Sequence, residues 1–137
     1  LMPNHFHFEM RQNADVSISK LLTKISTSYS KYYNKKYDHT GHIFQDQFKS
    51  VLITGDEQLL WLSAYIHANP LVAGLVKRLE DWQWGSYPDY IGLRQGTLCE
   101  KASILDQFKS VEEYRKFVES SVVEIKKRKE MESLLLD

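Results

Sequence analysis

Val16-Ser-Ile-Ser-Lys-Leu-Leu-Thr-Lys-Ile-Ser-Thr-Ser-Tyr-Ser-Lys-Tyr-Tyr-Asn-Lys-Lys-Tyr37 decides the fold class. Ile18, Leu21, Leu22, Ile25, Tyr29, Tyr32 and Tyr33 follow the 3.6-residue period of an α-helix, so residues 16–37 read as one long helix with an apolar stripe. Asp15 or Ser17 can cap its start. Lys31, Lys35 and Lys36 fall in its last turns, where cations complement the helix dipole. The tyrosines are expected to pack on a core with their hydroxyls at the wet edge.

Working outward, the period changes. In Pro3-Asn-His-Phe-His-Phe-Glu-Met10 the apolar Phe6, Phe8 and Met10 alternate with His5, His7 and Glu9, which predicts a short strand carrying both histidines on one face. Residues 48–54, Phe-Lys-Ser-Val-Leu-Ile-Thr, predict a second strand, broken by Gly55. Asp56 is expected to cap a helix over about 57–69, ended or kinked by Pro70 and followed by a short helix over Leu71–Val76. Trp82, Trp84, Tyr87 and Tyr90 form an aromatic cluster expected to lie over the core. Residues 102–108 predict one or two helical turns. Ser110 with Glu113 is a capping box, and Tyr114, Phe117, Val118, Val122 and Ile125 mark the apolar face of the helix behind it. Lys126–Lys129 read as a solvated helix end. The fold class is therefore α+β and predominantly helical. Two short strands alone make no stable sheet, and an unpaired edge at the first strand is an association hazard. Dimerisation or exchange of elements between copies is expected.

Composition narrows the function classes. The 137 residues are 42% hydrophobic and 26% charged, which fits one globular domain and excludes a disordered tail or a bare coiled coil. No apolar run reaches the roughly 18 residues of a membrane helix, and the opening residues lack a signal-peptide pattern. Cys99, the single cysteine, excludes an intramolecular disulfide framework and a multi-cysteine zinc site, so an intracellular location is expected. The net charge is zero but uneven. Residues 1–54 hold seven Lys/Arg against four Asp/Glu, and residues 55–137 eleven against fourteen. The basic front part is compatible with a phosphate backbone.

Two constellations can carry chemistry. His5 and His7 stand side by side on the first strand, a spacing that suits chelation of a divalent ion and also arises by chance on surfaces. Tyr65 and Asn69 share a helix face at i and i+4. An amide oxygen is a fair third ligand for a hard cation. A phenol, with its reference pKa of about 10, becomes a usable nucleophile beside a cation that also polarises a phosphodiester. The same two residues can equally serve as a core anchor and a helix cap.

Taken together, five segments resemble one family. Leu1-Met-Pro-Asn-His-Phe-His7 resembles the HUH motif (His-hydrophobic-His) of single-tyrosine transposases, and among these the REP-associated tyrosine transposases. Tyr37-Asp-His-Thr-Gly-His-Ile-Phe-Gln-Asp-Gln-Phe-Lys-Ser50 is similar to their R-x-G-H-L-F-Q-G-R-F-K-S segment. Tyr65-Ile-His-Ala-Asn-Pro-Leu-Val-Ala-Gly-Leu-Val76 is similar to their Y-I-x-x-N-P-V-R-A-G-L-V helix, and Trp84-Gly-Ser-Tyr87 to their W-S-S-Y. Glu113-Tyr-Arg-Lys-Phe-Val118 resembles a recurrent tail segment. The resemblance runs in order from residue 1 to about 120.

The resemblance implies an HUH-type, ferredoxin-like sheet of which short strands remain here, an N-terminally truncated catalytic region over 1–92 and a helical extension over 93–137. It implies Tyr65 as the nucleophile and His5, His7 and Asn69 as ligands of Mg²⁺ or Mn²⁺. The substrate it implies is single-stranded DNA at hairpins, cleaved and rejoined through a 5′-phosphotyrosine link, in a prokaryotic, nucleoid-associated cytoplasmic protein. Lys31, Lys35, Lys36 and Lys49 are candidates for phosphate contacts. Asp46-Gln47 and Leu71-Val72 stand where the family has Gly-Arg and Val-Arg. The alternative reading is therefore a DNA-binding remnant without catalysis.

Overall fold

The computed structural model describes residues 1–136, with side chains up to residue 131. Its elements are helical: α1 (Ile18–Tyr37), α2 (Asp56–Val72), a 3₁₀ turn (Leu79–Asp81), α3 (Tyr87–Tyr90), α4 (Ala102–Leu105) and α5 (Val111–Leu136). The expected predominance of helix is met. The two segments read as strands run without regular structure, and no ladder forms among the described residues. The reason is pairing: alternation sets which way side chains face, but a strand exists only where a neighbour takes its backbone groups. Val51 and Leu52 are accordingly 76% and 81% exposed.

The chain divides into two compact units. One comprises Leu1–Phe8 and Ile53–Asp137, the other Glu9–Leu52.

In the first unit, α2 packs on α5. α2 brings the small, buried Ser63, Ala64 and Ala68 to the core, which allows close approach. α5 answers with Tyr114, Val118 and Ile125, none more than 1% exposed and all in register at i, i+4 and about i+11. Leu79, Tyr87, Tyr90 and Ile104 close the cluster. Trp84 departs from the expected aromatic cover and is 61% exposed.

The helix ends follow local chemistry. α5 begins with the expected capping box: Ser110 Oγ accepts the Glu113 N–H at 3.2 Å, and Glu113 reaches back to the Lys109 N–H at 2.7 Å. α2 starts one residue earlier than expected. Gly55 is its N-cap, and Asp56 and Glu57 sit in the first turn against the positive end of the dipole. Pro70 does not end the helix. It is buried inside the last turn, and Leu71–Val76 is no separate helix. Instead Gly74, at φ +72°, terminates α2 in a Schellman arrangement, with Leu75 N–H to Pro70 O at 3.0 Å and Gly74 N–H to Leu71 O at 3.0 Å.

A buried polar hub stiffens the loop after α3. Asp89 accepts from Arg94 Nε at 2.8 Å, Arg94 Nη2 at 2.5 Å and the Gly96 N–H at 2.9 Å. Arg94 also donates to the carbonyls of Gln83 and Gly85. The Arg94 guanidinium holds the Asp89 carboxyl below its ordinary range. A Cβ on Gly96 would stand 2.5 Å from Asp89 Oδ1. Gly96→Ala is therefore expected to cost about 1–3 kcal/mol as overpacking against a pinned side chain, read as a lower denaturant midpoint at unchanged slope.

The second unit is built on α1. Ser17 is its N-cap, its Oγ accepting from the Lys20 N–H at 3.3 Å, and Asp38 closes it in the left-handed region at φ 48°. The register matches the expectation, but the burial does not. Leu22 is the buried residue of the stripe, while Tyr29, Tyr32 and Tyr37 are 48%, 56% and 57% exposed. The tyrosines contact one another instead of a core: Tyr33 and Tyr37 rings lie 4.6 Å apart, and Tyr29 meets Phe44 at 6.1 Å. Glu9 in this unit has a buried Oε1 with no hydrogen-bond partner among the described residues, and burial raises its carboxyl to about 7.

Candidate active site

His5, His7, Tyr65, Asn69 and a lysine of α5 converge within the first unit. The segment before Phe8 is held to the helices by Trp82, whose Nε1–H donates to Leu1 O at 2.9 Å. The His5 and His7 rings lie edge to face at 5.0 Å, side by side although no strand forms. His7 stands edge to face with Tyr65 at 5.6 Å, and Asn69 Nδ2 reaches His5 Nε2 at 3.5 Å. On α2, Tyr65 and Asn69 are one turn apart, as the i, i+4 spacing requires.

Neighbouring groups orient the two imidazoles. His5 Nδ1 donates to Asn4 Oδ1 at 2.7 Å, which leaves Nε2 as the lone-pair nitrogen. Asn4 is a site residue that the sequence reading passed over, although it directly precedes the histidine pair. Burial lowers the His7 pKa, with further lowering from the charges of His5 and Lys129. His7 is thereby kept neutral near pH 7, and its buried Nε2 has no hydrogen-bond partner among the described residues.

The donors suit a divalent cation. Two imidazoles suit a divalent transition-metal ion, and an amide oxygen is the one hard donor among the three. The orphaned His7 Nε2 is the group such an ion would satisfy. His7 and Asn69 also line a small cavity of about 20 Å³, room for one water-sized body. Among the described residues no group of three or more His, Cys, Asp or Glu assembles, and Asn69 turns its Nδ2 towards His5 and its Oδ1 towards Lys129.

Lys129 belongs to this site, contrary to the reading of Lys126–Lys129 as a solvated helix end. Its Nζ donates to Asn69 Oδ1 and lies 5.6 Å from the centre of the Tyr65 ring. Its neighbour Arg128 lies on Trp61 at 4.6 Å and pairs with Glu124 at 2.6 Å, which fixes this turn of α5 against α2. The signal was faint in sequence. Ile125 is a core position, and residue 129 lies four further along the same face.

His67, inside the same motif, has a different job. Its Nδ1 is 2.6 Å from Tyr114 Oη and its Nε2 is 2.8 Å from Ser86 Oγ, with Ser63 Oγ also 2.6 Å from Tyr114 Oη. Burial lowers its pKa to about 3. It is a neutral core residue that ties α2 to α5. An unfolded chain binds a proton at this histidine below about pH 6.5 and the folded one does not. Stability should therefore fall as pH drops from 6.5 towards 3, by up to about 1.4 kcal/mol per pH unit. Trp61, Trp82 and Trp84 all lie in this unit, so denaturation followed by tryptophan fluorescence at pH 7 and pH 5 measures it, and a His67→Gln chain should show a shallower slope.

The basic candidates lie elsewhere. Lys31, Lys35, Lys36 and Lys49 are exposed residues of the second unit. Lys36 Nζ lies over the Tyr32 and Tyr37 rings at 5.4 and 5.3 Å. No helix among the described residues is long and apolar enough to cross a membrane.

No curated protein and no solved structure matches the chain significantly. A family model does: the one described as "Transposase IS200 like" matches residues 1–69. The match runs from the histidine pair through Tyr65 to Asn69 and covers half of the chain, which therefore belongs to the IS200-like transposase family.

Proposed function

We propose that this transposase-family chain is a single-strand DNA transesterase with Tyr65 as its nucleophile. The observation that carries the reading is the convergence of Tyr65 on His7 at 5.6 Å and of Asn69 on His5 at 3.5 Å, within one compact unit. In the proposed reaction Tyr65 Oη attacks the phosphorus of a scissile phosphodiester. The Oη–P bond forms and the P–O3′ bond breaks, leaving a 5′-phosphotyrosine and a free 3′-hydroxyl. The phenol gives up its proton, the departing 3′-oxygen takes one up, and the step is neutral overall. A second 3′-hydroxyl attacking the phosphotyrosine reverses the chemistry and joins new ends.

His5, His7 and Asn69 would hold the divalent ion, Mg²⁺ or Mn²⁺. Bound there, the ion would supply Lewis acidity to a phosphate oxygen and favour the phenolate. The protein's own part is placement. α2 sets Tyr65 and Asn69 on one face, Asn4 fixes the His5 tautomer, and burial keeps His7 unprotonated.

DNA binding is assigned to α1 of the second unit. Exposed Tyr29, Tyr32 and Tyr37 alternate with Lys31, Lys35 and Lys36, which gives π-faces for unpaired bases beside cations for their phosphates. Lys49 extends the basic set. We assign catalysis to residues 1–92, with 93–137 as a helical extension that brings Lys129 to Asn69, and a homodimer in a nucleoid-associated, cytoplasmic setting.

The test is incubation of labelled single-stranded hairpin DNA with the chain and Mn²⁺ or Mg²⁺. A denaturation-resistant protein–DNA adduct with release of a 3′-hydroxyl fragment is expected. Salt-sensitive hairpin binding without an adduct would instead favour a DNA-binding remnant. The losses of Arg in the family segments, at Gln47 and Val72, favour that second reading.

A further inference from the structure

The contact between Lys129 and Asn69 conflicts with a purely static metal site. The Asn69 amide presents Nδ2 to His5 and Oδ1 to Lys129. The atom a hard cation would use is Oδ1, and here an ammonium holds it. Two cations on one amide oxygen would repel strongly in a part-buried site. Any ion that uses Asn69 must therefore displace this lysine.

The same ammonium lies 5.6 Å from the Tyr65 ring centre. A phosphate attacked by the Tyr65 hydroxyl must come to about 3–3.5 Å of it. It then arrives within reach of a flexible lysine that carries three donors. A phosphate oxygen bears charge and outcompetes a neutral amide for an ammonium.

We propose that Lys129 is a placeholder cation that leaves Asn69 Oδ1 for the incoming DNA phosphate, so that phosphate binding and divalent-metal binding at this site reinforce each other. The inference rests on the reading of His5, His7 and Asn69 as ligands. It makes Lys129 a positioning residue that acts through Asn69 and couples two ligands. By linkage, the factor by which DNA tightens the ion equals the factor by which the ion tightens DNA.

The experiment measures Mn²⁺ binding by the electron paramagnetic resonance of the free ion, on the full chain carrying Tyr65→Phe so that DNA is not cleaved. His7→Ala protein with the same DNA gives the background. With Lys129 present, single-stranded hairpin DNA is expected to tighten Mn²⁺ by about fivefold or more, the low end of ordinary coupling. Lys129→Met should bind Mn²⁺ several-fold more tightly without DNA and gain little when DNA is added. Lys129→Arg keeps the charge and should keep both the weaker affinity and the coupling, and circular dichroism checks that each variant folds. If Lys129→Met binds Mn²⁺ no more tightly than the parent, or keeps its full DNA-linked tightening, the inference is overturned while a His7-dependent metal site stands. If neither parent nor Lys129→Met binds Mn²⁺ above background, the metal reading fails and this inference with it.

Discussion

Tyr65→Phe should form no covalent adduct with single-stranded hairpin DNA, while still folding and still binding that DNA. The change removes one oxygen from a ring that is packed edge to face with His7 and lies beneath Lys129. The ring contacts survive, so the fold has little reason to respond. The chemistry has no substitute, because phenylalanine cannot form the Oη–P bond. The neighbouring hydroxyls do not replace it. Tyr114 and Tyr87 are 0% and 2% exposed, in the core rather than open to a phosphate. The expected result is loss of adduct to the limit of detection, with the hairpin dissociation constant changed less than about tenfold, since one hydrogen bond contributes about 0.5–1.5 kcal/mol. Persistence of the adduct would move the nucleophile elsewhere. Circular dichroism and a fluorescence-anisotropy titration alongside the adduct gel separate these outcomes.

Tyr114→Ala should produce the largest loss of stability. Tyr114 is fully buried, and its ring meets Phe108 at 5.2 Å and Tyr90 at 5.6 Å. Truncating a buried aromatic costs about 3–5 kcal/mol. The hydroxyl adds to this, because Ser63 Oγ and His67 Nδ1 both lie 2.6 Å from it and both would be left buried without it. Small domains carry only about 5–15 kcal/mol in total, so most of the margin disappears. Tyr114→Phe keeps the ring and strands only the polar partners, at about 1–3 kcal/mol. Urea unfolding followed by tryptophan emission, which comes from this unit alone, orders the two variants. A Tyr114→Ala chain as stable as Tyr114→Phe would mean that the ring carries little of the packing.

Much of this architecture was legible, and the reasons differ by element. The limits of α1 follow from a sustained 3.6-residue period and a serine cap, and the start of α5 from Ser110 with Glu113, because capping is a local interaction. Partnership was not legible. Alternation around His5 and the short apolar run at 48–54 describe segments suited to a sheet, but among the described residues no neighbouring strand takes up their backbone groups. The stripe of α1 was periodic without being buried, since period reports which face is apolar and not what covers it. Pro70 misled because the residue before a proline is biased away from helix, while burial and the Gly74 cap carry α2 two residues past it.

The site divides in the same way. Tyr65 with Asn69 and His5 with His7 are pairs set by spacing along one segment, and the pairs meet in the structure. Lys129 stands 60 residues from Asn69 and belongs to the site because α5 packs along α2. Only its place four residues beyond the buried Ile125 separates it from Lys126 and Lys127. Asn4 acts through the His5 tautomer, which only the hydrogen bond reveals.

The proposed transesterase turns on a phosphotyrosine link at one residue. The direct measurement is peptide mass spectrometry of the chain after incubation with single-stranded hairpin DNA and Mn²⁺, followed by nuclease and protease digestion. One modified peptide is expected, carrying a 5′-phosphonucleotide on Tyr65. A modification at another tyrosine, or a fully metal-loaded, DNA-bound chain that yields no modified peptide at all, would contradict it.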